Sequence, residues 1–308
     1  MRKIYAIGET LYDIIFKDEI PQAGKPGGAM LNSTVSLGRL GLPIALISEY
    51  ADDDIGRIID KFLHGNGVVT DYVDHFNDGK TALAIAVLNE KNNAHYTFYK
   101  EYPSRRLEMD FPVILKNDII LCGSIYAITN AIRNKFVQFI SSSAKAGGIV
   151  IYDPNFRSAH SSELKKLKPL IIENMKMAGL VRGSDEDFRN IFGTDSPDDA
   201  WDIMKDYCNC MVYTASAKAV YVRTKTFSGK FPVRKINPVS TIGAGDNFNA
   251  GMIAAIYNNG ITREELDIMG EEKWRDIVST GVDFATDVCL SYENYISKEF
   301  ADKFRRET

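Results

Sequence analysis

Short apolar runs recur along the chain at residues 4–7, 44–48, 119–121, 149–152, 211–214 and 219–224, with helically spaced stretches between them. Strands alternating with helices imply right-handed crossovers and a largely parallel sheet covered on both faces. One helix is clear over residues 32–40, where Val35, Leu37 and Leu40 are spaced for a buried face and Gly41 supplies the stop. The same spacing predicts helices over 54–66, 130–146, 196–206, 245–258 and 272–290. The pattern changes after residue 80: residues 81–88 and 95–99 are rich in β-formers and flank Asn89-Glu90-Lys91-Asn92-Asn93, a turn-forming loop. An antiparallel hairpin is expected there, either an edge of the main sheet or a separate flap, and periodicity does not separate the two.

Composition narrows the class. The 308 residues are 45% apolar and 25% charged, which excludes a disordered chain or a disulfide-stapled one. Lys and Arg number 37 against 41 Asp and Glu, a net charge of −4, so there is no basic footprint for nucleic acid and small-molecule partners are favoured. Cys122, Cys208, Cys210 and Cys289 show no paired CxxC spacing and fit a reducing cytoplasm. His64, His75, His95 and His160 show no metal-ligand spacing. No apolar stretch reaches the ~18 residues of a membrane span. The short run after Met1-Arg2-Lys3 reads as a first strand rather than a signal-peptide core.

The chemistry concentrates in residues 237–257. Gly243-Ala244-Gly245 forms a loop whose backbone permits close approach, and Phe248, Met252, Ile253 and Ile256 continue as a helix. Amides of residues 243–246 would then cluster at a helix N-terminus, where free N–H groups and the helix dipole favour an anion. Asp246 in that first turn has two readings: an acid satisfying a free amide, or a base accepting a hydroxyl proton beside a phosphoryl group in flight. The segment lacks both the P-loop and the dinucleotide fingerprint.

Thr241-Ile-Gly-Ala-Gly-Asp-Asn-Phe-Asn-Ala-Gly251 resembles the C-terminal signature of the ribokinase-like (PfkB) sugar kinases. Far upstream, Gly24-Lys-Pro-Gly-Gly-Ala-Met-Leu-Asn-Ser-Thr-Val-Ser-Leu-Gly-Arg-Leu-Gly41 is similar to the family's N-terminal signature. Gly8-Glu-Thr-Leu-Tyr-Asp13 resembles the start of fructokinase-like members, and Asp153-Pro-Asn-Phe-Arg157 their D-P-N-x-R. The resemblance covers about residues 4–290. It implies an α/β three-layer sandwich with a mostly parallel central sheet, and a small β lid formed by about 10–32 and 80–105. Because the two signatures must meet across one cleft, residues 1–308 are expected to form a single domain.

The same resemblance implies transfer of the ATP γ-phosphoryl group to a sugar hydroxyl, with Asp246 as catalytic base and the Gly243, Ala244 and Gly245 amides as anion hole. For the sugar it points to Asp13, Gly27, Gly28, Asn32, Tyr99, Arg105 and Arg157. Asn32 also reads as a helix N-cap, Arg157 as a rim ion pair, and Tyr99 and Arg105 as exposed hairpin residues. For the nucleotide it points to Asp187, Thr214, Ser216, Lys218, Thr241, Gly243, Gly245 and Cys289. Magnesium is expected to arrive with ATP and to be held through water, with Asp187 the acid nearest the family's N-x-x-E.

The nucleotide half departs from the family pattern. Ser184-Asp-Glu-Asp187 replaces N-x-x-E, and Thr214-Ala-Ser-Ala-Lys-Ala219 stands for T-x-G-x-x-G with neither glycine. Ser240 replaces the Asp that helps relatives hold an activating monovalent cation, and Cys289-Leu-Ser-Tyr-Glu-Asn replaces a small, Gly-containing border to the adenine. The expectation is a cytoplasmic ATP-dependent kinase acting on a primary hydroxyl of a fructose-like sugar, with the lid's exposed face available for a homodimer. The alternatives are a non-catalytic or weakly catalytic sugar-binding protein on the same fold, and a kinase for ketodeoxygluconate or another small polyol.

Overall fold

The computed structural model describes residues 2–88 and 94–307, so the turn expected at 89–93 lies outside the described residues. In chain order the strands are β1 (Ile4–Ile7), β2 (Leu11–Lys17), β3 (Ile20–Gly27), β4 (Ile44–Ala51), β5 (Val69–Phe76), β6 (Lys80–Leu88), β7 (Ala94–Glu101), β8 (Ile119–Gly123), β9 (Ile149–Asp153), β10 (Leu180–Ser184), β11 (Cys210–Thr214), β12 (Val220–Thr224) and β13 (Ser228–Phe231). The α-helices are α1 (Ala29–Arg39), α2 (Asp54–His64), α3 (Arg133–Lys145), α4 (Leu164–Met177), α5 (Asp185–Phe192), α6 (Pro197–Met204), α7 (Ala244–Asn258), α8 (Glu271–Cys289) and α9 (Lys298–Glu307).

Nine strands form one sheet in the order β13-β12-β11-β10-β9-β8-β1-β4-β5, parallel from β11 to β5, with β12 and β13 antiparallel at one edge. Its apolar runs are continuous because both faces are covered. Along β1, Ile4 and Ala6 enter the core shared with α1, α2, α7, α8 and α9, while Tyr5 and Ile7 enter the core shared with α3 to α6. Chain order reverses at β1, which has β4 on one side and β8 on the other, and ligands in such sheets bind beyond the carboxyl ends of the strands.

The hairpin is a separate flap. β3-β2-β6-β7 form a second sheet in which β2 and β6 run parallel. Thr81 joins it to the main sheet: its hydroxyl accepts from the Ala51 amide at 3.1 Å and donates to Asp53 at 2.7 Å. Among the described residues the flap's strands lie within 11–27, 80–88 and 94–101, narrower than the expected 10–32 and 80–105. Residues 29–32 belong to α1, and Arg105 lies past the end of β7. Asn32 is not the N-cap of α1, because the helix starts earlier and Gly28 holds that place. β2 and β3 escape the sequence pattern because few of their side chains are fully buried and β3 carries Pro21, Pro26 and two glycines. Among the described residues no helix is long and apolar enough to cross a membrane.

Candidate active site

α7 begins just after Gly243, whose φ of 77° is the left-handed turn that aims the next amides outward. The first rung of the ladder is the Asn247 amide on the Gly243 carbonyl at 2.9 Å, so the amides of Ala244, Gly245 and Asp246 precede it. That of Ala244 bonds the Thr241 carbonyl at a long 3.3 Å.

Asp246 stands in this turn against α1. Its Oδ2 accepts from Asn32 Nδ2 at 2.8 Å, and its carbonyl accepts from Ser33 Oγ at 2.7 Å. One turn further along α1, Ser36 donates to Asn247 at 2.5 Å. The two signatures, far apart in sequence, therefore meet side chain to side chain. Burial pushes the Asp246 carboxyl up to about 6; the Asn32 bond opposes this, Asp153 adds to it, and Arg157 and Arg182 oppose it.

Asp13 lies on β2 within the flap, and burial pushes it too up to about 6, against the pull of Lys25. The glycine pair opposite makes room for this loop. A Cβ on Gly27 would lie 2.1 Å from Asp13 Oδ2, and one on Gly28, whose φ is 128°, would lie 2.2 Å from the Glu9 carbonyl.

Tyr99, expected to meet substrate, lies on the wrong face. In register Asp13 pairs Ala84 and Ala84 pairs Phe98, so side chains of Asp13, Phe98 and Tyr96 share one face and Tyr99 the other, where it is 56% exposed. Tyr96 and Phe98 stack with centroids 6.0 Å apart, and the Tyr96 phenol is raised by burial and by Asp13, with Arg157 opposing. Arg105 is turned away and paired with Glu108. Its neighbour Arg106 points inward instead, 3.6 Å over the Tyr102 ring and bonded to Glu49, which also accepts from Tyr126 at 2.8 Å. Tyr102 and Lys100 both bond Glu9, each at 2.7 Å. Arg157 is an exposed rim residue 3.5 Å from Glu186, yet near enough to Asp246 to bear on its carboxyl.

On the nucleotide side Asp187 is committed to structure. Its Oδ2 accepts from the Ser184 amide and hydroxyl at 2.7 and 2.6 Å, and its Oδ1 from the Phe156 amide at 2.5 Å. This is the capping box of α5, and it leaves Asp187 poorly placed to hold an ion directly. Thr214 accepts from Arg182 at 2.7 Å rather than facing outward. Ser216 has φ 47° at the place where the family pattern carries its first glycine, so the turn keeps the left-handed conformation without the residue that favours it. Lys218 and Thr241 are exposed, and Ser240 Oγ caps the Ile242 amide at 3.2 Å. The Cys289 carbonyl accepts from the Val239 amide at 2.8 Å, and Val239, Ile242, Leu290 and Tyr292 leave exposed apolar surface along these two segments, which the sequence reading missed.

Known proteins share this sequence pattern and this fold. The sequence pattern of the pfkB family carbohydrate kinases matches residues 1–297. Probable fructokinase-4 of Arabidopsis thaliana is 26% identical over 275 residues, which covers 85% of this chain and 84% of that protein. The fructokinase of Vibrio alginolyticus is 25% identical over 280 residues, 89% and 90% of the two chains. In three dimensions, the Vibrio cholerae O395 fructokinase in its fructose, ADP and calcium ion bound form has a TM-score of 0.84 at 21% identity, covering 99% of each chain. Aminoimidazole riboside kinase from Salmonella enterica, complexed with aminoimidazole riboside and an ATP analog, has a TM-score of 0.83 at 20% identity, covering 99% of this chain and 100% of that one. With the family pattern running through both signatures, and those signatures joined at Asn32 and Asp246, the chain belongs to the pfkB family of carbohydrate kinases.

Proposed function

We propose that this protein transfers the γ-phosphoryl group of ATP to a primary hydroxyl of a fructose-like sugar. The observation that carries the reading is Asp246: a carboxylate at the head of α7's unladdered amides, oriented by Asn32 and poised near pH 6. The sugar sits under the flap, with Asp13 accepting from its hydroxyls and Tyr96, Phe98 and Arg157 at its edge. Asp246 takes the proton from the attacking hydroxyl as its oxygen bonds the γ-phosphorus. The bond from that phosphorus to the β-bridging oxygen breaks, and ADP leaves. The amides of Gly243, Ala244 and Gly245 stabilise the charge spread over the transferring group. Magnesium supplies further charge neutralisation on the phosphates when it enters with ATP. Closing of the flap keeps water from competing.

The fructose-like choice rests on the fructokinase names of the relatives and on Asp13 in its G-E-x-L-x-D setting. The four cysteines are all free and buried, which suits a reducing cytoplasm. On the flap's outer face Leu83, Ile85, Val87 and Tyr99 present apolar surface, and we assign this face to a second copy of the chain, paired across a two-fold axis within one folded unit per chain. The test is ADP release with a panel of fructose, other hexoses, ketodeoxygluconate and nucleosides. ADP release led by fructose is expected. A lead for the sugar acid would overturn the substrate, and sugar binding with no ADP release would overturn the kinase reading.

A further inference from the structure

Arg182 belongs to neither signature and is 7% exposed on β10. Its guanidinium forks between the two strands beside it: Nη1 donates to Asp153 Oδ2 at 2.9 Å and Nη2 to Thr214 Oγ1 at 2.7 Å. The open face of the fork meets the start of α7. A Cβ on Gly245 would lie 2.9 Å from Nη1 and 3.2 Å from Nη2, so a side chain there would push the guanidinium back from the first turn, and the Phe248 ring packs 5.6 Å from its centre. Asn249, also on α7, closes the network by donating to Asp153 at 2.6 Å. Arg182 Nε is buried without a partner among the described residues. A buried cation with an unmet N–H is a poor device for stability alone.

We infer that Arg182 is a positioning residue for phosphoryl transfer: it forms the floor of the anion hole behind Gly245 and sets a buried positive charge against the first turn of α7, the turn that carries Asp246. This rests on Asp246 being the base. The groups bearing on Asp246 are Asn32 from α1, Asp153 from β9, Arg157 from the loop after β9 and Arg182 from β10, with Asp187 of α5 facing Asp153 and Arg182 in turn. Three carboxylates thus crowd one pocket. Arg157 is 60% exposed at its side chain and screened by water, whereas Arg182 is shielded from it and acts from inside the pocket. Its position directly behind the amides of the α7 first turn adds its field to theirs at the place where a phosphoryl group would pass.

The test compares Arg182→Met, Arg182→Lys and Asp153→Asn by two readouts, the ¹³C carboxyl titration of Asp246 in the unliganded protein and the acid limb of kcat. Arg182→Met should move both midpoints up by roughly one pH unit and lower kcat at neutral pH by roughly tenfold or more. Arg182→Lys keeps the charge and should leave the midpoints near wild type, and Asp153→Asn removes a negative neighbour and should move them down. Should Arg182→Met not fold, unmoved midpoints in Arg182→Lys together with lowered midpoints in Asp153→Asn still decide. Equal shifts in Arg182→Lys and Arg182→Met, or no shift in Asp153→Asn, would overturn the inference. A wild-type protein without sugar-dependent ADP release would overturn the kinase function, while the carboxyl titration would still decide whether Arg182 holds Asp246 ionised.

Discussion

As the proposed base, Asp246 works against its surroundings: it must be ionised where burial favours the neutral acid. Its folded value, about 6, lies above the roughly 4 of an unfolded chain. The carboxyl's favourable contribution to folding is therefore complete below about pH 4 and is lost as pH rises through 6. At pH 7.5 the native state carries a cost of about 3 kcal/mol for that charge. Asp246→Asn should therefore raise Tm by several degrees at pH 7.5 and leave it unchanged near pH 4, while turnover falls by orders of magnitude and sugar affinity stays. Calorimetric melts at the two pH values check this, and a lower Tm at pH 7.5 would contradict the buried charge. Asp246, Gly243, Gly245 and the Gly27-Gly28 pair were legible because each answers a local need, a turn or a close approach, that adjacent letters display. Arg182, Arg106 and Tyr96 were not. Their roles depend on which face of a strand they occupy, and the break in the β6–β7 register between Lys80 and Leu83 decides that Tyr96 rather than Tyr99 faces Asp13.

At the scale of elements, the strands with unbroken apolar runs were readable, while β10 and α5 were hidden by their chemistry. β10 carries Arg182 and Gly183 in its middle, and α5 opens with three acids, a polar pattern that reads as loop until the capping box of Ser184 and Asp187 is seen. What the sequence suggested about the family's N-x-x-E changes here: Asp187 anchors Phe156 and α5, and so holds the Asp153–Arg157 loop in place. The β11–β12 turn shows the opposite case, a conformation kept while its glycine is gone. Ser216 at φ 47° carries strain that glycine would relieve. Ser216→Gly should raise stability by about 1 kcal/mol in denaturant melts. A destabilised variant would show that the serine side chain holds the turn through contacts that glycine lacks.

For the whole molecule, the cover of one sheet on both faces brings Asn32 and Asp246 together from α1 and α7, and the flap that carries Asp13 is hung from that sheet through Thr81. The main sheet's class was legible from alternation of strand and helix. The flap's separation was not, because its pairing of β2 with β6 joins segments on either side of α1, β4, α2 and β5 and leaves no local signal. Its outer face yields a prediction at this scale. Ile85→Asp, in the middle of that face, should convert a dimer to a monomer in sedimentation velocity, and a wild-type chain that sediments as a monomer at every concentration would contradict the pairing. In the proposed reaction Asp246 draws a proton from a sugar hydroxyl as phosphorus moves to it. The most direct measurement is ³¹P and ¹³C NMR of the product formed from ATP and fructose by wild type and by Asp246→Asn at equal sugar occupancy. A phosphate ester on a primary carbon from wild type and almost none from the variant is the predicted result. No phosphosugar from wild type, or comparable amounts from both, would contradict it.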